Sequence, residues 1–577
     1  MDRKSIIAVV LSVIVLAAWQ YQNQKNLKQW QDQQAALAAL APKPSPSATA
    51  APTAAPALAA PVAVTPKAQE AQVVEELKTI NTPAVDYTFT NLGGGISKLT
   101  LLKHEGAKPG ERMVLNAFGE RPIGAIFQKP DDLTPDAYTV TAKGGQVVCE
   151  RTDSVGLQVT KTFSLPSKVQ GAETYTVQME VAFANRGAAP VANTGYYVFA
   201  GSAEPIHASD MPTYTGFDWS KDGKATNINT GWFSAGKVPL VGVETSAAKS
   251  QYEQSPGNVV WAGVTNQYFT SLLSAVDPQN QGAGLGVWAA PISLKLEDKD
   301  VKGIEGALQM PGFKLDPGQT LKQTFTIYAG PKEYRWLKQL GHGESELMNF
   351  GVFKLISIFL LRTMNKLNDW FHSYAWAIIV LTFVVRGALW PIQGAATKSM
   401  KKMQLLQPKM TELKEKYKDD PAKMNQEVMK LYKDYGVNPF SGCLPMFIQI
   451  PIFFGFYSML GTAVELRNSS FLWVHDLSRP DTIFHLAGIP VNILPLAMAG
   501  TMILQMQLTP KSGDPAQQKM FMLMPLVFVF MTYNFASALA LYYTIQNILS
   551  IVQLYVTRNQ AMPTLQKVSV PSKKPRK

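Results

Sequence analysis

Tyr374–Ile392 reads YAWAIIVLTFVVRGALWPI, and this stretch decides the fold. It is long and apolar enough to cross a bilayer, since about 20 helical residues span the hydrocarbon. Its one charged residue is Arg386. An arginine inside a spanning helix costs at least about 2.5 kcal/mol on insertion scales. A carboxylate partner would offset that cost, but the other apolar stretches contain no Asp or Glu, so the question is what Arg386 meets.

Other apolar runs predict five further spans. Ile6–Trp19 follows Arg3 and Lys4, and we interpret residues 1–22 as an uncleaved membrane anchor, with a signal peptide as the alternative. Residues 23–79 are rich in Ala and Pro and predict an extended tether. Met520–Val556 is too long for one crossing, so we divide it at the polar Asn534–Ser537. The remaining spans are predicted at about 443–463, 489–508, 520–534 and 538–557.

The placement of basic residues predicts the topology. Six spans put both termini on one face, and the tail 558–577 is as basic as the N-terminus. The Lys-rich segment 393–440 falls on the same face, which the positive-inside rule makes cytoplasmic. The connection 464–488 has no Lys and lies opposite. The net charge of +12 is therefore explained by membrane topology and does not require a nucleic-acid partner.

Residues 80–335 predict a different kind of domain. Apolar residues alternate with polar ones, as at Tyr175, Val177, Met179, Val181 and Phe183, and glycine-rich turns separate the segments. This pattern is typical of an antiparallel all-β sandwich. It contains no nucleotide-binding loop, metal cluster or nucleophile motif, so His104 and His207 read as ordinary histidines. Cys149 falls here and Cys443 falls in the spans, so no disulfide is expected.

Two amphipathic segments flank the first long span. Within residues 344–371, we expect Glu344–Leu361 to be a helix in the membrane interface and Arg362–His372 to be a link. Residues 393–440 predict an antiparallel helical hairpin that turns near 419–421, with Asp420 as N-cap, Pro421 at the first helical position and Pro408 as a kink or start. Its apolar positions form the seam of the hairpin or, alternatively, a Met-rich docking surface: Met403, Leu406, Met410, Leu413, Tyr417, Met424, Val428, Leu431 and Tyr435.

Polar side chains recur at helical spacing inside the spans. Thr382 shares a helix face with Arg386, and Gln449 lies in the third span. The last span carries two adjacent rows: Tyr543, Asn547 and Ser550 in one, and Tyr542, Gln546 and Gln553 in the other. Together they predict a wet cavity around Arg386. The alternatives are hydrogen bonds between helices and an arginine that snorkels to the surface.

Several motifs follow one another through the spans: Val385-Arg386-Gly387 with Pro391, Asn438-Pro439, Gly442–Phe453 (GCLPMFIQIPIF), Val464-Glu465-Leu466-Arg467, Asp514-Pro515 with Gln517-Gln518-Lys519, and Leu541-Tyr542-Tyr543. They resemble the YidC/Oxa/Alb3 family of membrane protein insertases over about 350–557. The anchor, tether and β domain resemble the long Gram-negative form. The resemblance implies an inner-membrane protein with a periplasmic β domain, and nascent membrane proteins, the ribosome, the Sec translocon and lipid as partners.

The resemblance also assigns roles to residues. Arg386 would be the positive centre of a hydrophilic groove that is open to the cytoplasm and to lipid. Phe453 and Tyr543 would guide the incoming segment, and the groove would be lined by Thr382, Gln449, Tyr542, Gln546, Asn547 and Ser550. The function implied is insertion of nascent transmembrane segments, alone or with Sec, and assistance in their folding. No catalytic residue, metal, cofactor, DNA or small-molecule substrate is implied.

Three other functions remain as alternatives. A small-solute transporter needs groups that couple ions or protons, and the spans contain no acid or His. An intramembrane enzyme needs a base near its nucleophile, and all six His lie outside the spans. A pure assembly chaperone overlaps with an insertase and is not separated from it by sequence.

Overall fold

A computed structural model describes residues 73–130, 132, 134–221, 224–237, 244–275, 285–438, 444–509 and 525–558. The predicted anchor 1–22, most of the tether and nearly all of the basic tail lie outside the described residues. A β-rich part runs from Leu77 to Pro331, and helices follow it from Tyr334.

The β part is antiparallel in every pairing of its strands. Its largest sheet has nine strands in the order β12-β11-β16-β17-β20-β9-β8-β7-β6: β6 Thr139–Lys143, β7 Gln146–Thr152, β8 Leu157–Ser164, β9 Thr176–Asn185, β11 Gly216–Lys221, β12 Lys224–Asn229, β16 Val259–Thr265, β17 Phe269–Ala275 and β20 Thr320–Pro331. A five-stranded sheet has the order β15-β18-β19-β10-β5: β5 Ile126–Phe127, β10 Val191–Ala203, β15 Tyr252–Gly257, β18 Leu285–Leu296 and β19 Lys299–Leu315.

Smaller sheets complete the set. A four-stranded sheet has the order β1-β2-β3-β4: β1 Leu77–Asn81, β2 Val85–Thr90, β3 Gly95–Glu105 and β4 Arg112–Leu115. Two short pairs are β13 Gly236–Lys237 with β14 Glu244–Ser246, and β21 Thr482–Leu486 with β22 Ile489–Asn492.

The two main sheets pack face to face. Ser271 of β17 donates a hydrogen bond to the Ala200 carbonyl of β10 at 2.6 Å. Gly306 of β19 leaves room for the Phe217 ring of β11, since a Cβ at that glycine would come within 2.3 Å of the ring. In β9, Val177, Met179, Val181 and Phe183 are all buried, which confirms the strand that their alternation predicts.

Lys161 occupies a core position of β8 that the same alternation reserves for apolar residues. Its side chain is fully buried, and its ammonium donates to the carbonyls of Gly93 and Gly124 at 2.5 and 3.0 Å. Burial lowers the pKa of Lys161 to about 7, because the charged form loses its hydration. The lysine therefore ties two loops to the sheet at an electrostatic cost.

Eight α-helices follow among the described residues: α1 Tyr334–Leu340, α2 Lys354–Phe371, α3 Tyr374–Lys416, α4 Pro421–Asp434, α5 Leu444–Thr462, α6 Ile493–Leu508, α7 525–532 and α8 Ser537–Arg558. By length and composition, α3 and α8 can each cross a membrane, and α5 and α6 hold shorter apolar segments. The turn 533–536 between α7 and α8 lies at the predicted polar break.

Three sequence expectations need correction. Helix α3 is continuous through Pro391 and Pro408, so Pro408 does not start a helix. Helix α2 begins at Lys354 and includes most of the expected link, while residues 344–348 form a 3-10 turn. Residues 489–492, expected to open the fourth span, are strand β22, and the helix begins at Ile493.

Helix α4 packs against the far part of α3. The Asp420 carboxylate accepts from the Lys423 amide and caps α4, and Pro421 is its first residue. Leu406, Tyr432 and Val437 are buried together at the contact, with partly buried residues around them: Met403, Met410, Val428 and Tyr435. These methionines therefore contribute to the seam between the two helices.

The β part contacts the helices through the segment that follows α5. The Arg467 guanidinium donates to the carbonyls of Glu105 and Gly106, both at 3.0 Å, and lies over the rings of Tyr268 and Phe269. Gln267 donates to the Gly461 carbonyl at 2.7 Å. The sheets therefore sit against the α5 end at Thr462 and the neighbouring start of α8.

Candidate functional site

Arg386 lies on α3 with its side chain turned toward α8. The residue is 9% exposed. Its Nη2 donates to the Gln553 amide oxygen at 3.2 Å, and Gln553 in turn donates to the Trp390 carbonyl at 3.1 Å. The Nε of Arg386 is buried without a hydrogen-bond partner. Within the described part of the chain, no carboxylate lies within ion-pair distance of it.

The space beside Arg386 is a small cavity. Its volume is about 10 Å³, and it is lined by Thr382, Val385, Arg386, Leu389, Gln449, Tyr542 and Gln546. Such a volume holds about one water molecule. The sequence predicts a hydrophilic groove here, and this stays a prediction; among the described residues, the cavity is lined by side chains of α3, α5 and α8.

Gln449 connects α5 to α8 at this cavity. Its amide nitrogen donates to the Tyr542 hydroxyl at 3.3 Å and to the Gln546 amide oxygen at 3.2 Å. Thr382 is buried and donates to the Ile378 carbonyl of its own helix. The predicted residues Thr382, Gln449, Tyr542 and Gln546 therefore do meet around Arg386.

Aromatic rings of α5 and α8 lie beyond the cavity on the side nearest the β sheets. Phe453 packs edge-on against Tyr543, with ring centroids 5.6 Å apart, and Phe456 stacks on Tyr542 at 3.8 Å. We call the whole group the aromatic layer: Phe453, Phe456, Tyr457, Phe528, Phe535, Tyr542 and Tyr543. The predicted guides Phe453 and Tyr543 thus pack against each other within the aromatic layer.

Asn547 and Ser550 do not line this cavity, and their place in the groove stays a prediction. Asn547 donates to the Thr501 hydroxyl at 3.2 Å and approaches the Met498 carbonyl at 3.4 Å, so it faces α6. Ser550 donates to the Gln546 carbonyl of its own helix. The row that faces Arg386 is the neighbouring one. Its member Gln553 was predicted as part of that row but was not among the residues assigned to line the groove.

Sequence periodicity contains the signal for Gln553. Tyr542, Gln546 and Gln553 are four and then seven residues apart, so they share a face of α8. Val385 and Leu389 were also missed, since apolar lining residues do not differ in sequence from lipid-facing ones. Among the described residues, no group of three or more His, Cys, Asp or Glu stands close enough to hold a metal ion.

Comparisons with known proteins cover nearly the whole chain. The family model described as "60Kd inner membrane protein" matches residues 366–564, and the model described as "YidC periplasmic domain" matches residues 78–363. Two similar relatives carry the description "Membrane protein insertase YidC". The protein of Syntrophus aciditrophicus is 32% identical over 97% of this chain and 100% of its own length. The protein of Paraburkholderia phymatum is 33% identical over 81% of each.

One solved structure is also similar in part. A crystal structure of an active YidC insertase, with its first transmembrane domain resolved, is 21% identical. The match covers 85% of this chain and 95% of that one, with a TM-score of 0.34.

Proposed function

We propose how insertion proceeds in this chain, which belongs to the YidC family of membrane protein insertases. A nascent transmembrane segment enters the membrane beside α3, α5 and α8, alone or with the Sec translocon. The acidic residues of its polar tail pair with Arg386 on the way across. The segment then leaves sideways into lipid, and the same surface assists its folding.

The observation that carries this proposal is that Arg386 is buried without a negatively charged partner among the described residues. Its one described side-chain partner is the neutral Gln553, and its Nε has no partner. A buried guanidinium with a neutral partner retains a large desolvation cost. A carboxylate that arrives with the client offsets that cost, so the site attracts acidic tails more than neutral ones.

Entry requires the cavity to widen. The Gln449 contacts with Tyr542 and Gln546, at 3.3 and 3.2 Å, are long hydrogen bonds between neutral groups. Each such bond contributes only about 1 kcal/mol net. Separation of α5 from α8 breaks both bonds and parts the aromatic layer, and the client's own side chains replace these contacts.

The driving force comes from partition into lipid. Each Leu, Ile, Phe or Val of the client gains roughly 0.3–0.6 kcal/mol on entering the bilayer. The membrane potential adds about 2.3 kcal/mol per 100 mV for each anion that moves outward. The sequence contains no P-loop, and this process needs no nucleotide.

Orientation follows from the distribution of charge. We place both termini and the 393–440 segment in the cytoplasm and the β domain in the periplasm. The basic tail and the Lys-rich α4 region would then face the ribosome, whose RNA is anionic. Insertion and chaperone action share one surface in this scheme.

Substitution of Arg386 tests the proposal. In proteoliposomes, Arg386→Ala should slow the insertion of a single-span client with an acidic translocated tail by roughly tenfold, equivalent to about 1.4 kcal/mol. Arg386→Lys keeps the charge and should largely restore the rate. The measurement is protease protection of the client tail against time.

A client with a neutral Ser/Gly tail is the matched control, and all three proteins should insert it at similar rates. Thermal unfolding in detergent identifies any variant that has simply lost its fold. Equal rates for parent, Ala and Lys variants on the acidic client would remove the electrostatic basis of the proposal.

A further inference from the structure

A second cavity lies between the β sheets, the C-terminal end of α5 and the N-terminal end of α8. Its volume is about 760 Å³, within the range of about 300–1,000 Å³ that is usual for ligand pockets. The β part contributes Tyr214 and Tyr268 to its wall, and the helices contribute Tyr457, Gly461 and Leu539. We call this space the outer chamber.

One continuous helix face joins the outer chamber to the cavity of Arg386. On α5, Gln449, Phe453, Tyr457 and Gly461 follow at intervals of four residues, so they form a single row. Gln449 lines the small cavity, Phe453 belongs to the aromatic layer, and Tyr457 and Gly461 line the outer chamber.

Helix α8 passes the same three regions, from the outer chamber to the small cavity. Leu539 lines the outer chamber, Tyr542 and Tyr543 belong to the aromatic layer, and Gln546 lines the small cavity. A chain that passes the aromatic layer between α5 and α8 therefore arrives in the outer chamber.

Lys299 and Arg479 place positive charge on the wall of the chamber. Both are exposed, and neither lies within ion-pair distance of a carboxylate in the described part of the chain. A third cation, Arg467, is held by the carbonyls of Glu105 and Gly106.

The acids of the chamber wall accept hydrogen bonds from local donors, and the Oδ1 of Asp481 is buried without a partner. Asp476 accepts from the amide and hydroxyl of Ser478. Asp481 accepts from the Trp473 indole and the Leu494 amide. Asp210 accepts from the His207 amide at 2.9 Å. These hydrogen bonds orient the carboxylates but leave their negative charge in place, and Arg479 interacts electrostatically with Asp210. Lys299 and Arg479 are nevertheless exposed, so each can still reach a carboxylate that enters the chamber.

We propose that the outer chamber receives the translocated acidic tail of a client, with Lys299 and Arg479 as its carboxylate contacts. This rests on the proposed function, since the tail must first pass Arg386. Arg386 draws the tail inward, and the outer cations hold it after it has crossed the aromatic layer. The chamber continues the row that starts at Gln449, which favours a polypeptide over a lipid headgroup as occupant.

Photo-crosslinking at defined client lengths tests this assignment. A benzophenone amino acid replaces Met211, which lines the chamber and is 37% exposed, and in separate proteins it replaces Tyr543 or the distant Val155. Ribosome-bound nascent chains of increasing length carry a short Asp/Glu-rich tail. Short chains should crosslink from position 543, longer chains from position 211, and none from position 155.

The outcomes separate the two proposals. Crosslinks at 543 with none at 211 at any length would overturn the chamber assignment and leave the insertase mechanism standing. Absence of both would count against the proposed function itself. A lipid adduct at 211 whose yield the client does not change would identify the chamber as a headgroup site and would also overturn the assignment.

Charge variants then test the two cations. Lys299→Gln with Arg479→Gln should reduce the crosslink from 211 to the acidic tail by at least about threefold, since each exposed contact is modest. Crosslinking to a Ser/Gly tail should not change. The matched control is Lys295→Gln with Arg186→Gln, two exposed cations that do not line the chamber. Equal losses in both double variants, or no loss in either, would overturn the role of Lys299 and Arg479.

Discussion

The neutral amide of Gln553 offers Arg386 a hydrogen-bond acceptor but no negative charge. The amide oxygen lies 3.2 Å from Nη2, and the amide nitrogen is held by the Trp390 carbonyl, so its orientation is fixed. An amide satisfies one donor of the guanidinium at modest cost, whereas a carboxylate would neutralise it. At the residue scale, the site is therefore left open to an anion.

Gln553→Glu should close the site to acidic clients. A fixed carboxylate at this distance pairs with Arg386 and competes with the client tail, so insertion of the acidic client should slow by several-fold. Gln553→Leu is the matched control, because it removes the hydrogen bond but keeps the positive charge available. Unchanged insertion by Gln553→Glu, measured by protease protection, would show that a visiting carboxylate is not what Arg386 serves.

Helical periodicity predicted which polar residues share a face but not which face meets Arg386. Tyr542 and Gln546 lie on the row that reaches the cavity, while Asn547 faces Thr501 of α6. The two rows are adjacent on α8, and the rotation of a helix about its axis is set by packing against its neighbours. Sequence alone therefore gave both rows and could not choose between them.

At the scale of elements, alternation in the β part was a sound guide, and Lys161 shows its limit. The register of β8 places Lys161 opposite Cys149 of β7, inside the core. The alternation of β8 is enough to predict that the residue at position 161 faces the core. The carbonyls of Gly93 and Gly124 that accept its protons come from distant loops, which local sequence does not reveal.

Lys161 predicts a pH dependence. Its pKa is lowered from 10.5 to about 7 in the folded state, so between these values the unfolded chain binds the extra proton. The unfolding free energy of the parent should therefore rise with pH relative to Lys161→Met, by up to about 1.4 kcal/mol per pH unit. Below about pH 7 the difference should level off.

Urea unfolding of the full chain in detergent provides the measurement, with thiol labelling of buried Cys149 as the readout in a Cys443→Ser background. The exposed Lys143→Met is the control and should follow the parent at every pH. A constant difference between the parent and Lys161→Met from pH 7 to 9 would contradict the lowered pKa.

The sequence predicted the wrong element boundaries at two places. The Ile489–Asn492 strand reads like part of a span, yet it pairs with β21 and leaves Ile489 exposed. In α3, each proline removes only one backbone hydrogen bond, and the remaining bonds carry the helix through Pro391 and Pro408. Composition predicted that these segments were apolar or interrupted, while the hairpin pairing of β21 with β22 and the intact helical hydrogen bonds of α3 decided their form.

At the scale of the whole molecule, the contacts between the β sheets and the helices lie beyond sequence reasoning. Arg467 meets the carbonyl of Glu105, which lies 362 positions away along the chain. The sequence showed Arg467 only as the last residue of a motif after an apolar run, with no sign of its partner. In the structure this contact holds the β part against the C-terminal end of α5 and the N-terminal end of α8. Arg467 itself lines the outer chamber.

The central claim is that a client's acidic tail visits Arg386. The most direct measurement is photo-crosslinking from position 449 to a ribosome-bound nascent chain, compared between the parent and Arg386→Ala. The account predicts a strong crosslink to an Asp/Glu-rich tail that falls several-fold in the Ala variant and is restored by Arg386→Lys. A crosslink of equal yield in all three proteins, or none in the parent, would contradict it.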